Sequence, residues 1–365
     1  MKILSHGVYP LAVNRNSQLL SFKKGNFYLC DLQNPEFTVQ LTEMPYYQHG
    51  ILSQSRFVER ALRNCPGPSI ALGVTGFLYH YKSSIYRIDL AEKKVYEELR
   101  LPQPKKVLYF TKRTCAYTGQ ENIYFGEYFE NKFKEPVNVW QRDGNGQWEI
   151  YSTFPAGSIE HVHNIAIDAS RKRLLILTGD FGESCGIWSL DHHGQLPLRI
   201  VGGSQMHRAA WMYVDETRLL YATDTPFEQN HLIEIILDNP DLTLHKLQPI
   251  KGSSIYGGVY QDGAVYFSTS VEPVELTGNR WVDIFQRKRG PGIIDNRSYL
   301  YRYIIATGSL EILFSDEKDL LPMRLGQYGS FVLSDALTDV CRVLVYGLAL
   351  KKYDDTLLEL KFDTV

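Results

Sequence analysis

No run of about 18 apolar residues occurs in this chain, so no segment reads as a membrane-spanning helix. Charge of one sign is missing as well. Lys and Arg number 39 against 41 Asp and Glu, a formal net charge of -2, which leaves no basic footprint for nucleic acid and excludes it as an expected partner. Cysteine is scarce: Cys30, Cys65, Cys115, Cys185 and Cys341 are scattered and odd in number. Neither CxxC zinc spacing nor the density of a disulfide framework is present, so they read as free thiols in a reducing compartment. Ser5, His6 and Gly7 interrupt the N-terminal stretch before a signal-peptide core can form, and the expectation is a cytoplasmic protein. Phosphate loops, GxSxG elbows and HExxH helices are also lacking, which argues against nucleotide-dependent and common hydrolase chemistries.

Aromatic residues, by contrast, are plentiful. They make up 13% of the chain, with 24 Tyr and 17 Phe, and they recur in short alternating runs that favour an all-β fold. The runs repeat. "NIYFGEY" (122–128), "RLLILTGD" (173–180), "RLLYATDT" (218–225) and "AVYFSTSVE" (264–272) each end in small or acidic residues. Three of them follow "HNIAID", "RAAWMYV" and "YGGVYQ", which begin at His163, Arg208 and Tyr256, steps of 45 and 48 residues. A repeat of that length holding four short strands is the signature of a β-propeller. The expectation is one propeller domain over residues 1–365, with seven four-stranded blades, or six as the alternative. "MKIL" would supply the last strand and close the ring between the termini, which removes exposed sheet edges. Two segments fall outside the repeat. Residues 53–64 read as an amphipathic rim helix with Phe57, Ala61 and Leu62 on its packing face and Arg56, Arg60 and Arg63 largely on another. Residues 277–298, with Trp281 and Phe285, read as an insertion in the sixth blade and a candidate surface for a protein partner.

"WQRDGNGQWEIYSTF" (140–154) resembles the Asp-box, or BNR, repeat through Asp143 and Trp148, and "SLDHHG" (189–194) keeps Ser189 and Asp191 at the equivalent turn. The chain from about 120 to 272 is similar to a bacterial group of Asp-box proteins with the sialidase-like propeller fold. That resemblance implies a carboxylate-tied turn between the third and fourth strands of a blade. A sialidase would also need three arginines, a Tyr/Glu nucleophilic pair and an acid/base Asp; this set has no counterpart here, which argues against sialidase activity.

Propeller geometry turns the repeat into a candidate site. The loop entering each innermost strand and the loop leaving each second strand open on one face, around the central channel. Entering positions carry His161, His163, His207, Arg208, Tyr256, Arg324 and Tyr328; leaving positions carry Glu127, Tyr128, Asp180, Asp224 and Glu272. Of these, His161, His163, Arg208, Tyr256, Asp180 and Asp224 are the candidate catalytic residues. Glu127, Tyr128, His207, Glu272, Arg324 and Tyr328 are candidate substrate contacts. Polar groups flanked by aromatics suit sugars, and the expected function is glycosidase- or lyase-like action on an acidic glycan or saccharide precursor, in an intracellular tailoring role. One reading makes His161 or His163 an acid or base beside Tyr256 or a carboxylate, with Arg208 gripping the acidic group. A second has His161 and His163, two apart on one strand face, hold a divalent metal, as in some propeller polysaccharide lyases. A third makes the face a non-catalytic platform for a glycan or a protein. Asp180 and Asp224 also suit plain turn capping.

Overall fold

The computed structural model describes residues 2–35, 37–47, 55–114, 119–238, 242–274 and 280–362. Seven antiparallel sheets follow one another along the chain. The first blade runs Tyr9–Val13, Gln18–Lys23, Asn26–Asp31 and Thr38–Glu43, and the fourth runs His161–Asp168, Arg173–Gly179, Gly186–Leu190 and Leu198–Gly202. In the seventh, Lys2–His6 pairs with Thr356–Lys361, Lys2 opposite Glu359 and His6 opposite Thr356. The chain's two ends therefore share one sheet. Seven blades is the number, and the first strand of the molecule is the last of the ring.

Second strands are largely apolar in their central positions because each packs on both faces. Residues Ala264–Ser268 are all buried, as are Gly76–Tyr81. Neighbouring blades interlock through these residues. Phe22 and Phe27 of the first blade meet Phe77 and Tyr79 of the second, and Val13 and Leu19 meet Leu344 and Tyr346 of the seventh. Outer strands such as Thr38–Glu43 are largely exposed, which explains why their hydrophobic pattern is weaker.

The turn at Asp143 is tied by its carboxylate. Asp143 Oδ1 accepts from the backbone N–H of Asn145 at 3.0 Å and of Gln147 at 2.7 Å. Trp148 packs edge-on against Phe125, with ring centres 5.4 Å apart.

The helix before the second blade spans Arg56–Leu62 and inverts its expected facing. Leu62 is exposed, whereas Arg60 is buried. The Arg60 guanidinium pairs with Asp319 Oδ2 at 2.6 Å and donates from Nε to the Gly326 carbonyl at 2.9 Å. Arg56 reaches Tyr346 Oη at 3.0 Å and Asp354 at 3.5 Å. Arg56 and Arg60 pack because the seventh blade and its approach supply the carboxylates, whereas Arg63 is exposed. The side chains of Phe57 and Trp281, residues 277–279, and Cys115 lie outside the described residues.

Candidate active site

Three consecutive blades build the site, each from the same two positions. The fourth blade contributes His161 and His163 at the start of its first strand and Asp180 just after its second. In the fifth, an isolated bridge between Ala209 and Thr223 sets Arg208 and Asp224 side by side. Glu272 follows the second strand of the sixth blade, and Tyr256 precedes its first. Repetition of one strand geometry is what gathers residues that lie over 100 positions apart.

The pairing register of the fourth blade shifts between Val162 and Asn164, at His163. Gly179 makes room for the imidazole there: a Cβ on Gly179 would lie 2.4 Å from His163 Cε1. His161 Nδ1 lies 3.0 Å from the Phe129 carbonyl and His163 Nδ1 lies 3.1 Å from the Ala209 carbonyl. Carbonyls only accept, so each Nδ1 carries the hydrogen. Both Nε2 atoms then present lone pairs in the neutral rings. They sit 3.2 Å apart, with Asp180 Oδ1 3.0 Å from His163 Nε2 and Asp180 Oδ2 3.5 Å from His161 Nε2. Three acceptors converging in this way require a cation among them, a proton or a metal. The ligating atoms of His161, His163 and Asp180 all lie within 4.8 Å of one another.

Electrostatics separate the two aspartates. Burial alone would raise the Asp180 carboxyl, but Arg208 and the two imidazoles hold it well below the usual carboxylate range. Arg208 Nη2 is 3.0 Å from Asp180 Oδ1, and its Nε is 3.8 Å from Asp224 Oδ2. Asp224 moves the other way. Burial, reinforced by the neighbouring Glu272 charge and opposed by Arg208, pushes it up to about 7. Burial raises Glu272 as well. Asp224 Oδ1, Glu272 Oε2 and Gln205 Oε1 are buried without a hydrogen-bond partner among the described residues. Such atoms are rare in folded proteins and concentrate where ligands bind.

A raised carboxyl makes stability fall with pH. Between about pH 4 and pH 7 folded Asp224 binds more proton than the unfolded side chain, so the cost of ionising it develops as pH rises through that window. The full effect is roughly 4 kcal/mol, at 1.36 kcal/mol for each pKa unit. Depressed Asp180 has the opposite sign and acts only as pH falls through and below the ordinary Asp value. Denaturant unfolding followed from about pH 5 to about pH 8 is expected to show wild-type stability declining and Asp224→Asn declining much less. Equal slopes in the two proteins would refute the assignment.

Tyrosines enclose the cluster. The Tyr128 ring lies 4.3 Å from that of His161. Tyr328 is pushed up to about 12 by burial and the Glu272 charge, and burial also raises Tyr256. These phenols stay protonated at neutral pH. Arg324 lies within electrostatic reach of both Glu272 and Tyr328.

Two expected substrate contacts are placed elsewhere. Successive strand residues point to opposite faces, so while Tyr128 faces His161, Glu127 turns into the third blade. Its carboxylate accepts from Lys105 Nζ at 2.7 Å, Asn138 N at 3.0 Å, Asn138 Nδ2 at 3.1 Å and Trp140 Nε1 at 3.1 Å. That side chain braces its own blade. His207 ends a short 3₁₀ turn, Gln205–His207, and bonds Ser204 Oγ at 3.0 Å. The same turn sends Gln205 inward instead, where Nε2 donates to the Asp180 carbonyl at 2.7 Å.

Three contributors escaped the sequence reading. Glu160 Oε2 accepts from the N–H of Asp180 at 2.5 Å and of Phe181 at 3.3 Å, fixing the loop that carries Asp180. Gln205 is the second. The third, Tyr109, crosses to the sixth blade and donates to the Ile255 carbonyl at 2.8 Å. Glu160 adjoins His161 at a strand entrance, the signal that could have found it; Gln205 and Tyr109 carry no such signal.

No protein-family model matches the sequence, and no curated protein matches it. Solved structures do share its fold. An oligogalacturonate lyase in complex with manganese aligns with a TM-score of 0.60 at 11% identity, over 99% of this chain and 92% of that one. An oligogalacturonate lyase from Vibrio parahaemolyticus aligns with a TM-score of 0.57 at 12% identity, over 98% and 92%. A chain of the Mitotic Checkpoint Complex aligns with a TM-score of 0.56 at 9% identity, over 99% and 92%. At such identities the likeness shows a fold, which different chemistries share: this chain is an all-β, seven-bladed propeller.

Proposed function

We propose that this propeller holds a divalent metal through His161, His163 and Asp180 and acts on an acidic saccharide by lyase-like elimination. The observation that carries the reading is the convergence of two Nε2 atoms on one carboxylate, with each Nδ1 tied to a backbone carbonyl. Metal-ligating histidines characteristically donate their other ring N–H in this way, and two imidazoles with one carboxylate suit Mn²⁺, Fe²⁺ or Zn²⁺. A bound metal would supply Lewis-acid polarisation of a substrate carboxylate. The fold it shares with lyases of oligogalacturonate, one of them a manganese complex, supports the same substrate chemistry.

The remaining groups suit the proton transfers. Asp224, with a carboxyl near neutrality, takes the proton from the carbon beside the sugar carboxylate. The electron pair left behind forms the C=C bond as the neighbouring C–O bond breaks. Tyr256, protonated and enclosed in the channel, gives its hydrogen to the departing oxygen. Arg208 keeps Asp180 ionised and balances the buried carboxylates. The carboxylate-tied turn at Asp143 supports reading residues 141–148 as a degenerate Asp box, a feature of the scaffold.

Protein exchanged into Mn²⁺ and desalted is expected to retain about one metal ion per chain by elemental analysis. With oligogalacturonate it should produce the ultraviolet absorbance of an unsaturated uronide. Retention of no metal would overturn the metal assignment. New reducing ends without that absorbance would replace elimination by hydrolysis.

A further inference from the structure

The segment between the second and third strands of the sixth blade carries "RKR", residues 287–289, on the face where the site opens. The same tripeptide occurs at residues 171–173, but there both arginines pair with Asp168. Arg287 and Lys288 are exposed, and neither side chain has an ion-pair or hydrogen-bond partner among the described residues. Arg289 is different: it donates from Nε to the Ile293 carbonyl at 2.9 Å and from Nη2 to that of Ile294 at 3.1 Å, which shapes the loop. Together they line a cavity of about 560 Å³ with Gly290, Ile293 and Asn296, and none of its lining residues is acidic. That volume falls within the range of small-molecule sites.

The loop is docked on the site. Gly290 N donates to the carbonyl of Glu272 at 3.0 Å, and Gly292 N donates to that of Pro226 at 2.8 Å. Buried Asn230 holds the Gly292 carbonyl at 3.2 Å. Side chains are excluded at both glycines, since a Cβ would lie 2.3 Å from Pro226 O at Gly290 and 2.2 Å from Glu228 O at Gly292. Next to Pro226, the Phe227 ring lies 5.7 Å from that of Phe181, the residue after Asp180, and Phe181 is half exposed. The loop that presents Arg287 and Lys288 is thus fastened at the Glu272 carbonyl and at Pro226, and the residue after Pro226 packs against the residue after Asp180.

We infer that this face carries an extended subsite for a polyuronate chain, with sugar rings lying on Phe181 and Phe227 and carboxylates of distal units pairing with Arg287 and Lys288. The inference rests on the acidic-saccharide reading of the central site. It adds that the natural substrate is an oligomer reaching beyond the bond that is cleaved. Alternating carboxylates and apolar sugar faces match cations beyond an aromatic pair, and a pre-ordered loop loses little entropy on binding.

The test is calorimetric binding of a short and a long oligogalacturonate to Mn²⁺-exchanged protein carrying Asp224→Asn to stop turnover, with the loop either wild type or Arg287→Ala/Lys288→Ala. With the wild-type loop the long oligomer is expected to bind about ten-fold more tightly than the disaccharide, a gain that shrinks with added salt. With the substituted loop that gain should largely vanish. An equal length dependence in both proteins would overturn the inference, as would equal binding of polyglutamate or DNA by the protein with the wild-type loop, which would mark a general polyanion surface. Unsaturated product is assayed separately with Asp224 intact, so a length effect without elimination would refute the lyase reading and leave the subsite standing.

Discussion

His163→Ala is expected to lose the retained metal and to lower turnover by roughly 1,000-fold or more, while the propeller stays folded. In the proposed metal site the ring would supply one of three ligands, and it lies 3.0 Å from the carboxylate that would supply another, so two donors would remain where three are needed. Its removal also frees the Ala209 carbonyl from the bond that fixes the tautomer. Stability should fall by only about 1–3 kcal/mol, the cost of an unpaired buried polar group. Elemental analysis and the elimination assay, run beside a denaturant titration, separate the two effects. Full metal occupancy in the variant would show that the imidazole serves packing alone. His161→Ala should match it, because each Nε2 faces one oxygen of the same carboxylate; a metal that survives one change and not the other would show that the two rings do not share it.

Arg208→Ala is expected to cost about 3–5 kcal/mol of folding stability at neutral pH. Its guanidinium is buried, 3.0 Å from Asp180 and 3.8 Å from Asp224, and within electrostatic reach of Glu272. Without it, buried carboxylates face one another with only the imidazoles to balance them. The loss should shrink as pH falls, because protonating Asp224 and Glu272 removes the repulsion that the guanidinium otherwise offsets. Arg208→Lys is expected to recover part of the stability, since one ammonium cannot span both carboxylates as the fork does. Chemical denaturation across pH checks both statements. A neutral-pH loss below about 1 kcal/mol would show that the carboxylates are balanced by other groups.

The positions of the site residues show where sequence reasoning reached and where it stopped. His161 and His163 could be placed on one strand face from their spacing, since a strand repeats every two residues. Asp180, Asp224 and Glu272 could be aligned with one another because each follows a second strand. Glu127 could not be told from Tyr128 in this way. Which of two adjacent residues faces the channel depends on strand register, and the waiting partners Lys105, Asn138 and Trp140 decide it. The same holds for His207, which a one-turn 3₁₀ segment directs away from the site while Gln205 enters. The Arg56–Leu62 helix shows the limit most plainly: its own periodicity favours an apolar packing face, and carboxylates about 260 to 300 residues away reverse that choice.

What the sequence determined by itself is the repeating four-strand unit, a ring of six or seven such units and the first strand as the candidate that closes it. These follow from local alternation, turn residues and spacing, which every repeat restates. The tertiary structure alone decided that two imidazoles converge on Asp180, that Arg208 divides its charge between two aspartates of opposite behaviour, and that a cationic loop is fastened to Glu272. Such facts depend on distances between residues remote in the chain. Packing of neighbouring blades sets those distances, and no local pattern encodes them.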